Sequence, residues 1–125
     1  MTEYLVAASS VHVTAAAADY LGSRIEPGED GIVVVGVRER DSHERDAGDA
    51  VNVARARLAA AMPETEIRAG EAETELLAAI DEHEPDVVVI GANRGTEGVS
   101  GVGSTATALL EGVDRPVVVV PLPDR

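Results

Sequence analysis

The sequence predicts an α/β domain built on a parallel sheet, and three observations carry that expectation. Short apolar runs recur without polar alternation (YLVAA, IVVVGV, DVVVI, VVVV), as strands covered on both faces require. Stretches of helical periodicity separate them, and glycine, proline or acidic turns mark the joints. The 125 residues suffice for one domain, read here as spanning residues 1–125. The apolar fraction is 45%, with no Phe or Trp and only Tyr4 and Tyr20 as aromatics, so Val, Ile, Leu and Ala must fill the core.

The first strand is Tyr4–Ala8. Ser9 and Ser10 follow, then an alanine-rich helix over residues 11–21 with Gly22 as its C-cap. Residues 26–30, containing Pro27 and Gly28, read as a turn before the second strand at residues 32–37. RERDSHERDAG, residues 38–48, is charged and unpatterned and reads as a surface loop. A second helix is expected over residues 49–62, on Val53, Ala56, Ala60 and Ala61, with Pro63 as its stop. Residues 66–69 give a short, charged strand suited to a sheet edge. Leu76, Leu77 and Ile80 define a third helix over residues 73–82, and Glu71, Glu73 and Glu75 complement the dipole at its start. Residues 86–90 form the fourth strand. Ser104 or Thr105 caps a last helix running to about Glu111 and closed by Gly112, and Val117–Val120 is the fifth strand.

Strands alternating with helices imply a three-layer domain, a five-stranded parallel sheet with helices on both faces. Right-handed crossovers leave strand orders 3-2-1-4-5 and 2-1-3-4-5 both open. In either, ligands bind beyond the carboxyl ends of the strands at a topological switch point.

The totals exclude much chemistry. With no Cys there are no disulfides, thiolate catalysis or cysteine metal sites. All ten basic residues are Arg, and without Lys neither Schiff-base catalysis nor a Walker-type phosphate loop can operate. Twenty-three Asp and Glu give a net charge of −13, which opposes binding to nucleic acid or to an anionic membrane. No run is apolar enough to span a bilayer and no leader pattern is present, so a cytoplasmic location is expected. Acid excess with no Lys further suggests a halophilic protein, adapted to high salt.

The segment GANRGTEGVSGVGST holds glycines at 91, 95, 98, 101 and 103 between a strand and a helix start. Their N–H groups can converge on a phosphate, with the helix dipole adding a favourable field and Ser104 and Thr105 adding hydroxyls. The alternative is a ligand-free loop. Residues 101–106 also fit the dinucleotide fingerprint G-x-G-x-x-A, but they open the last helix rather than the first, and no acidic residue ends the following strand. Of the three histidines, His43 and His83 read as solvated; His12 begins the first helix at the ligand end. Arg94 could reach a phosphate from within the loop.

On YLVAASS, DVVVIGANRG and GSTATALLEGVDRPVVVVP the chain resembles the universal stress proteins of the UspA type over nearly its whole length. The resemblance implies the 3-2-1-4-5 order, a Rossmann-like arrangement of the adenine nucleotide alpha hydrolase type. It also implies ATP or AMP binding (with Mg2+ if ATP) in a regulatory stress-response role; enzymatic activity is not expected, because the residues offer no general base, metal cluster or catalytic lysine. Gly91 would then lie by the ribose, Gly103, Ser104 and Thr105 would hold phosphates, and Val37 would offer its backbone to adenine. The family motif, G-x2-G-x9-G-[S/T], is met here as Gly91, Gly95 and Gly103 with one residue fewer overall, and Ser9 stands where an aspartate would end the first strand. Dimerisation through Val117, Val118, Val119 and Val120 is implied as well. The same fold acting as a dimeric interaction protein without nucleotide is the alternative, and a weak ATPase or phosphotransferase the third reading.

Overall fold

The computed structural model describes residues 2–8, 10–39, 44–91 and 104–121. Its elements run β1 (Glu3–Ala8), α1 (Val11–Gly22), β2 (Gly31–Arg38), α2 (Glu44–Arg57), a 3-10 turn (Ala59–Ala61), β3 (Glu64–Ala69), α3 (Ala72–His83), β4 (Val87–Gly91), α4 (Ser104–Gly112) and β5 (Val117–Val120). All described pairings are parallel and the order is β3-β2-β1-β4-β5, the first of the two orders left open above.

Alternation along each strand sorts the core into two layers. Val6, Ala8, Ile32, Val34 and Val89 pack against Ala17, Ala18 and Leu21 of α1 and Ala50, Val51, Ala54 and Leu58 on the α2 side. Leu5, Ala7, Val33, Val35, Val88 and Ile90 pack against Leu76, Ala79 and Ile80 of α3 and Ala106 and Leu109 of α4. Small and branched side chains allow helices to sit close to the sheet. At Gly36 a Cβ would fall 2.8 Å from Val51 Cγ2, so α2 approaches β2 more closely than a larger residue would allow.

Several boundaries differ from the expectation. The loop expected over residues 38–48 gives way to α2 from Glu44. The stripe that seats this helix is Ala47, Ala50, Val51, Ala54 and Leu58, whereas Ala56 and Ala60 are exposed. The helix ends at Arg57, before Pro63 can act, and Met62 closes the following turn in the left-handed region (φ 52°). Gly22 is the last residue of α1 rather than its cap, which is Ser23 with an ordinary φ of −86°. The turn over residues 26–30 is present: Gly28 takes φ +87°, and the Asp30 carboxylate accepts hydrogen bonds from the N–H groups of Glu26 and Thr2, both at 3.0 Å.

β3 and β5 are the two edges. None of the β3 residues is buried, and Val117, Val118 and Val119 of β5 are only partly so. Among the described residues no helix is long and apolar enough to cross a membrane.

Candidate functional site

β1 is the pivot of the sheet. From it the chain crosses to β2 over one face through α1, and from its other neighbour, β4, it crosses to β5 over the opposite face through α4. The carboxyl ends of β1 and β4 lie side by side, with Ala7 registered to Ile90, so Ala8 and Gly91 end adjacent strands. α1 begins at Val11, soon after β1 ends at Ala8, whereas α4, the helix after β4, begins at Ser104, well along the chain from Gly91. This is the topological switch point at which open α/β sheets bind ligands.

The N–H groups in a helix's first turn have no intrahelical acceptor, and with the dipole they favour an anion. In α1, Ser10 is the cap: its extended backbone (φ −125°, ψ 167°) turns the hydroxyl to accept from Val13 N–H at 3.4 Å, and Thr14 N–H reaches the Ser10 carbonyl at 2.8 Å. Val11 and His12, at the start of the helix, are exposed. α4 opens with Ser104 itself, so Ser104 and Thr105 both stand inside the first turn rather than one capping it; Thr105 is half-buried. Neither helix carries an acidic residue in its first turn, whereas α3 carries Glu73 and Glu75 there. In a chain with 23 carboxylates and ten basic residues, the first turns of both helices at the switch point are thus without an acidic residue of their own.

Gly91 ends β4 fully buried against α1. A Cβ there would stand 2.7 Å from the Val13 carbonyl oxygen and would also collide with the Val13 side chain. The close neighbour that demands glycine is therefore the helix backbone. Val37 pairs with Arg68 of β3, while on the other side the last described register pair with β1 is Ala8 with Gly36. Val37 thus stands one residue past the β1 ladder, at the same carboxyl edge. The structure brings Val37, Gly91, Ser104 and Thr105 to that edge; Ser9, Gly95 and Gly103, with Arg94 and His43, lie outside the described residues.

Away from this edge, the expectation of a solvated His83 is corrected. Its Nε2 lies 2.8 Å from Glu66 Oε1, and the side chain is 28% exposed. Glu66 also meets Arg68, whose Nε is 2.7 Å from Oε2, and Arg68 donates from Nη2 to Glu82 at 2.6 Å, with Glu75 at 3.7 Å from Nη1. The hydrogen bond with His83 holds the Glu66 carboxyl below the usual carboxylate range; burial opposes it, and the charge of Arg68 adds to the lowering. Glu66 and Arg68 share a strand face by their spacing of two, which is readable in the sequence; their partners on α3 are not. Among the described residues, no group of three or more His, Asp or Glu could hold a metal.

The sequence matches the universal stress protein family over residues 9–121. No curated protein matches it. Solved structures share the fold at low identity. A universal stress protein family protein from Arabidopsis thaliana with AMP bound is 14% identical, with a TM-score of 0.73 over 98% of this chain and 93% of its own. A universal stress protein in complex with cAMP is 18% identical, with a TM-score of 0.71 over 98% and 100%. The universal stress protein from Archaeoglobus fulgidus in complex with dAMP is 17% identical, with a TM-score of 0.63 over 96% and 98%.

Proposed function

The chain belongs to the universal stress protein family, and from that premise we propose that it is a nucleotide-responsive regulatory module, binding an adenine nucleotide at the carboxyl edge of β1 and β4. The observation that carries this reading is the pair of helix starts beside adjacent strand ends, both free of acidic residues in a strongly acidic chain. The donor set fits a phosphate: first-turn N–H groups of α4 at Ser104 and Thr105, joined by Gly103 from the preceding loop. Val37, at the end of β2, offers backbone polar groups to an adenine edge. Gly91 keeps β4 and α1 in contact at the floor of the site, and Gly95 is assigned to the site as the next glycine of the family motif. A bound nucleotide supplies phosphate charge and a flat base to be recognised; the module needs no reaction for that.

Two features set the expected affinity. Ser9 replaces a carboxylate, and a hydrogen bond to a charged group contributes about 1.5–3 kcal/mol against about 1 for a neutral one, so affinity falls by several-fold to about tenfold. The glycine loop is one residue short of the family spacing, which disfavours a triphosphate more than a monophosphate. AMP, cAMP and dAMP are the ligands of the three relatives above, and a monophosphate is the nucleotide we expect here. Calorimetric titration should give weak binding, high-micromolar or weaker, with AMP no worse than ATP and Mg2+. Gly103→Val, which fills the phosphate cradle, should abolish it; equal affinity in the two proteins would show that the loop is not the site.

The same replacement of aspartate and the shortened loop also support a second reading, an interaction protein that works without nucleotide. Both readings include a homodimer through β5, whose Val117–Val119 stay partly exposed on a strand paired only with β4 among the described residues. Light scattering in molar salt should report twice the chain mass, and a monomer at micromolar concentration would remove that part of the proposal.

A further inference from the structure

β3 is held differently from the other four strands. Each of β1, β2, β4 and β5 contributes at least one buried hydrophobic residue to the core, and β3 contributes none. Its face towards α3 carries Glu64, Glu66 and Arg68, and its other face Thr65, Ile67 and Ala69, with Ile67 47% exposed. β3 is fastened by its ladder to β2 from Val33–Glu64 to Arg38–Ala69, by contact with α2, and, on the α3 side, by the ion pairs of Glu66 and Arg68. Arg68 is the hub, its guanidinium shared among Glu66, Glu75 and Glu82 with only 14% of the side chain exposed. Glu66 is gripped at both oxygens, by His83 and by Arg68.

We infer that β3 is an acid-releasable edge strand, locked to α3 by the Glu66–Arg68–His83 cluster and opening as a unit when Glu66 takes up a proton. The groups around Glu66 fix the direction. On its own strand it meets Arg68, with Glu64 on the same strand face; from α3 it meets His83, while Glu82 and Glu75 reach the same Arg68 guanidinium; β2 opposes it with apolar Val35. Glu3 and Glu64 line, with His83, a cleft of about 240 Å3 at the amino edge of the sheet. The folded state lowers the proton affinity of Glu66. Its contribution is therefore complete above the ordinary carboxylate range and is lost as pH falls through the lower, folded-state value. Asp30, in the turn before β2, is the other described carboxyl lowered in the same way, through its bonds to Glu26 and Thr2 N–H. Asp30 acts only where β1 and β2 begin, and the apolar middles of the other four strands have no comparable dependence, because burial of Val and Ile does not titrate.

Opening β3 uncovers the edge of β2 and, since Arg68 is the register partner of Val37, reaches the sheet's carboxyl edge. That last consequence rests on the nucleotide reading; the opening itself does not. Native-state hydrogen exchange, read as protection factors so that intrinsic pH effects cancel, tests it without any ligand. Between pH 7 and pH 3 the amides of residues 64–69 should lose several-fold in protection while those in the middle of β1 and β4 hold theirs. Glu66→Gln should give β3 several-fold lower protection already at pH 7 and flatten its pH dependence. Equal loss across β1, β3 and β4 on acidification, or a Glu66→Gln protein whose β3 keeps wild-type protection and pH dependence, would overturn the inference.

Discussion

Replacing Gly91 with alanine isolates packing from ligand binding at the heart of the proposed site. The added Cβ would lie 2.7 Å from the Val13 carbonyl oxygen and 3.2 Å from its carbon, where ordinary contact begins near 3.4 Å. Those are backbone atoms of α1, so no rotamer change relieves the clash; the helix start must move away from β4. Overpacking of this kind costs about 1–3 kcal/mol. For a chain of this size that lowers the melting temperature by about 4–12 °C. Gly36→Ala is the matched control: its Cβ would meet Val51 Cγ2 at 2.8 Å, but that atom belongs to a side chain and the nearest backbone atom, Ala47 O, is 3.3 Å away. Thermal melts by far-UV circular dichroism, without ligand and in fixed salt, should rank wild type above Gly36→Ala above Gly91→Ala. A Gly91→Ala protein melting within about 1 °C of wild type would refute the reasoning.

Thr14 is fully buried on α1, and its hydroxyl has no hydrogen-bond partner among the described residues; Thr14→Val keeps the shape, removes the orphan group and should raise stability by about 1 kcal/mol in denaturant unfolding. Gly22→Ala places a Cβ no closer than 3.8 Å to Leu58 at a helical position with no positive φ, and should add about 0.5–1 kcal/mol by the same measurement. Net charge −13 on a small domain should make the melting temperature climb from about 0.1 M to 2 M potassium chloride, as the screening length falls from about 10 Å towards 3 Å and below; a flat profile would remove the halophilic reading.

What could be read from the sequence was whatever residue type alone enforces. Runs such as Val87–Ile90 and Val117–Val120 admit little besides strands, and four of them with one charged strand between, all separated by helices, leave few topologies. The start of α2 was hidden because its seating residues, Ala47 and Ala50, are small and lie among charges; their periodicity appears only once β2, with Gly36, presents a surface close enough for alanine to fill. The glycine at 91 was legible as a close approach, but its neighbour was not: a sequence pattern does not distinguish a phosphate from the carbonyl of Val13. The partners of His83 are likewise non-local, 17 residues away on β3. Ser104 and Thr105 were placed correctly at the helix start, although as its first turn rather than its cap.

The central claim is that an adenine nucleotide meets this chain at the carboxyl edge of β1 and β4. Amide chemical shifts of the isotopically labelled protein, followed while AMP is added at constant salt, test it residue by residue. The account predicts concentration-dependent shifts at Val11 and His12, at Val37 and Gly91, and at Ser104 and Thr105, with Gly31, Glu64 and the rest of the amino edge unmoved. Shifts confined to the amino-edge cleft around Glu3, Glu64 and His83, or none at millimolar AMP, would contradict it.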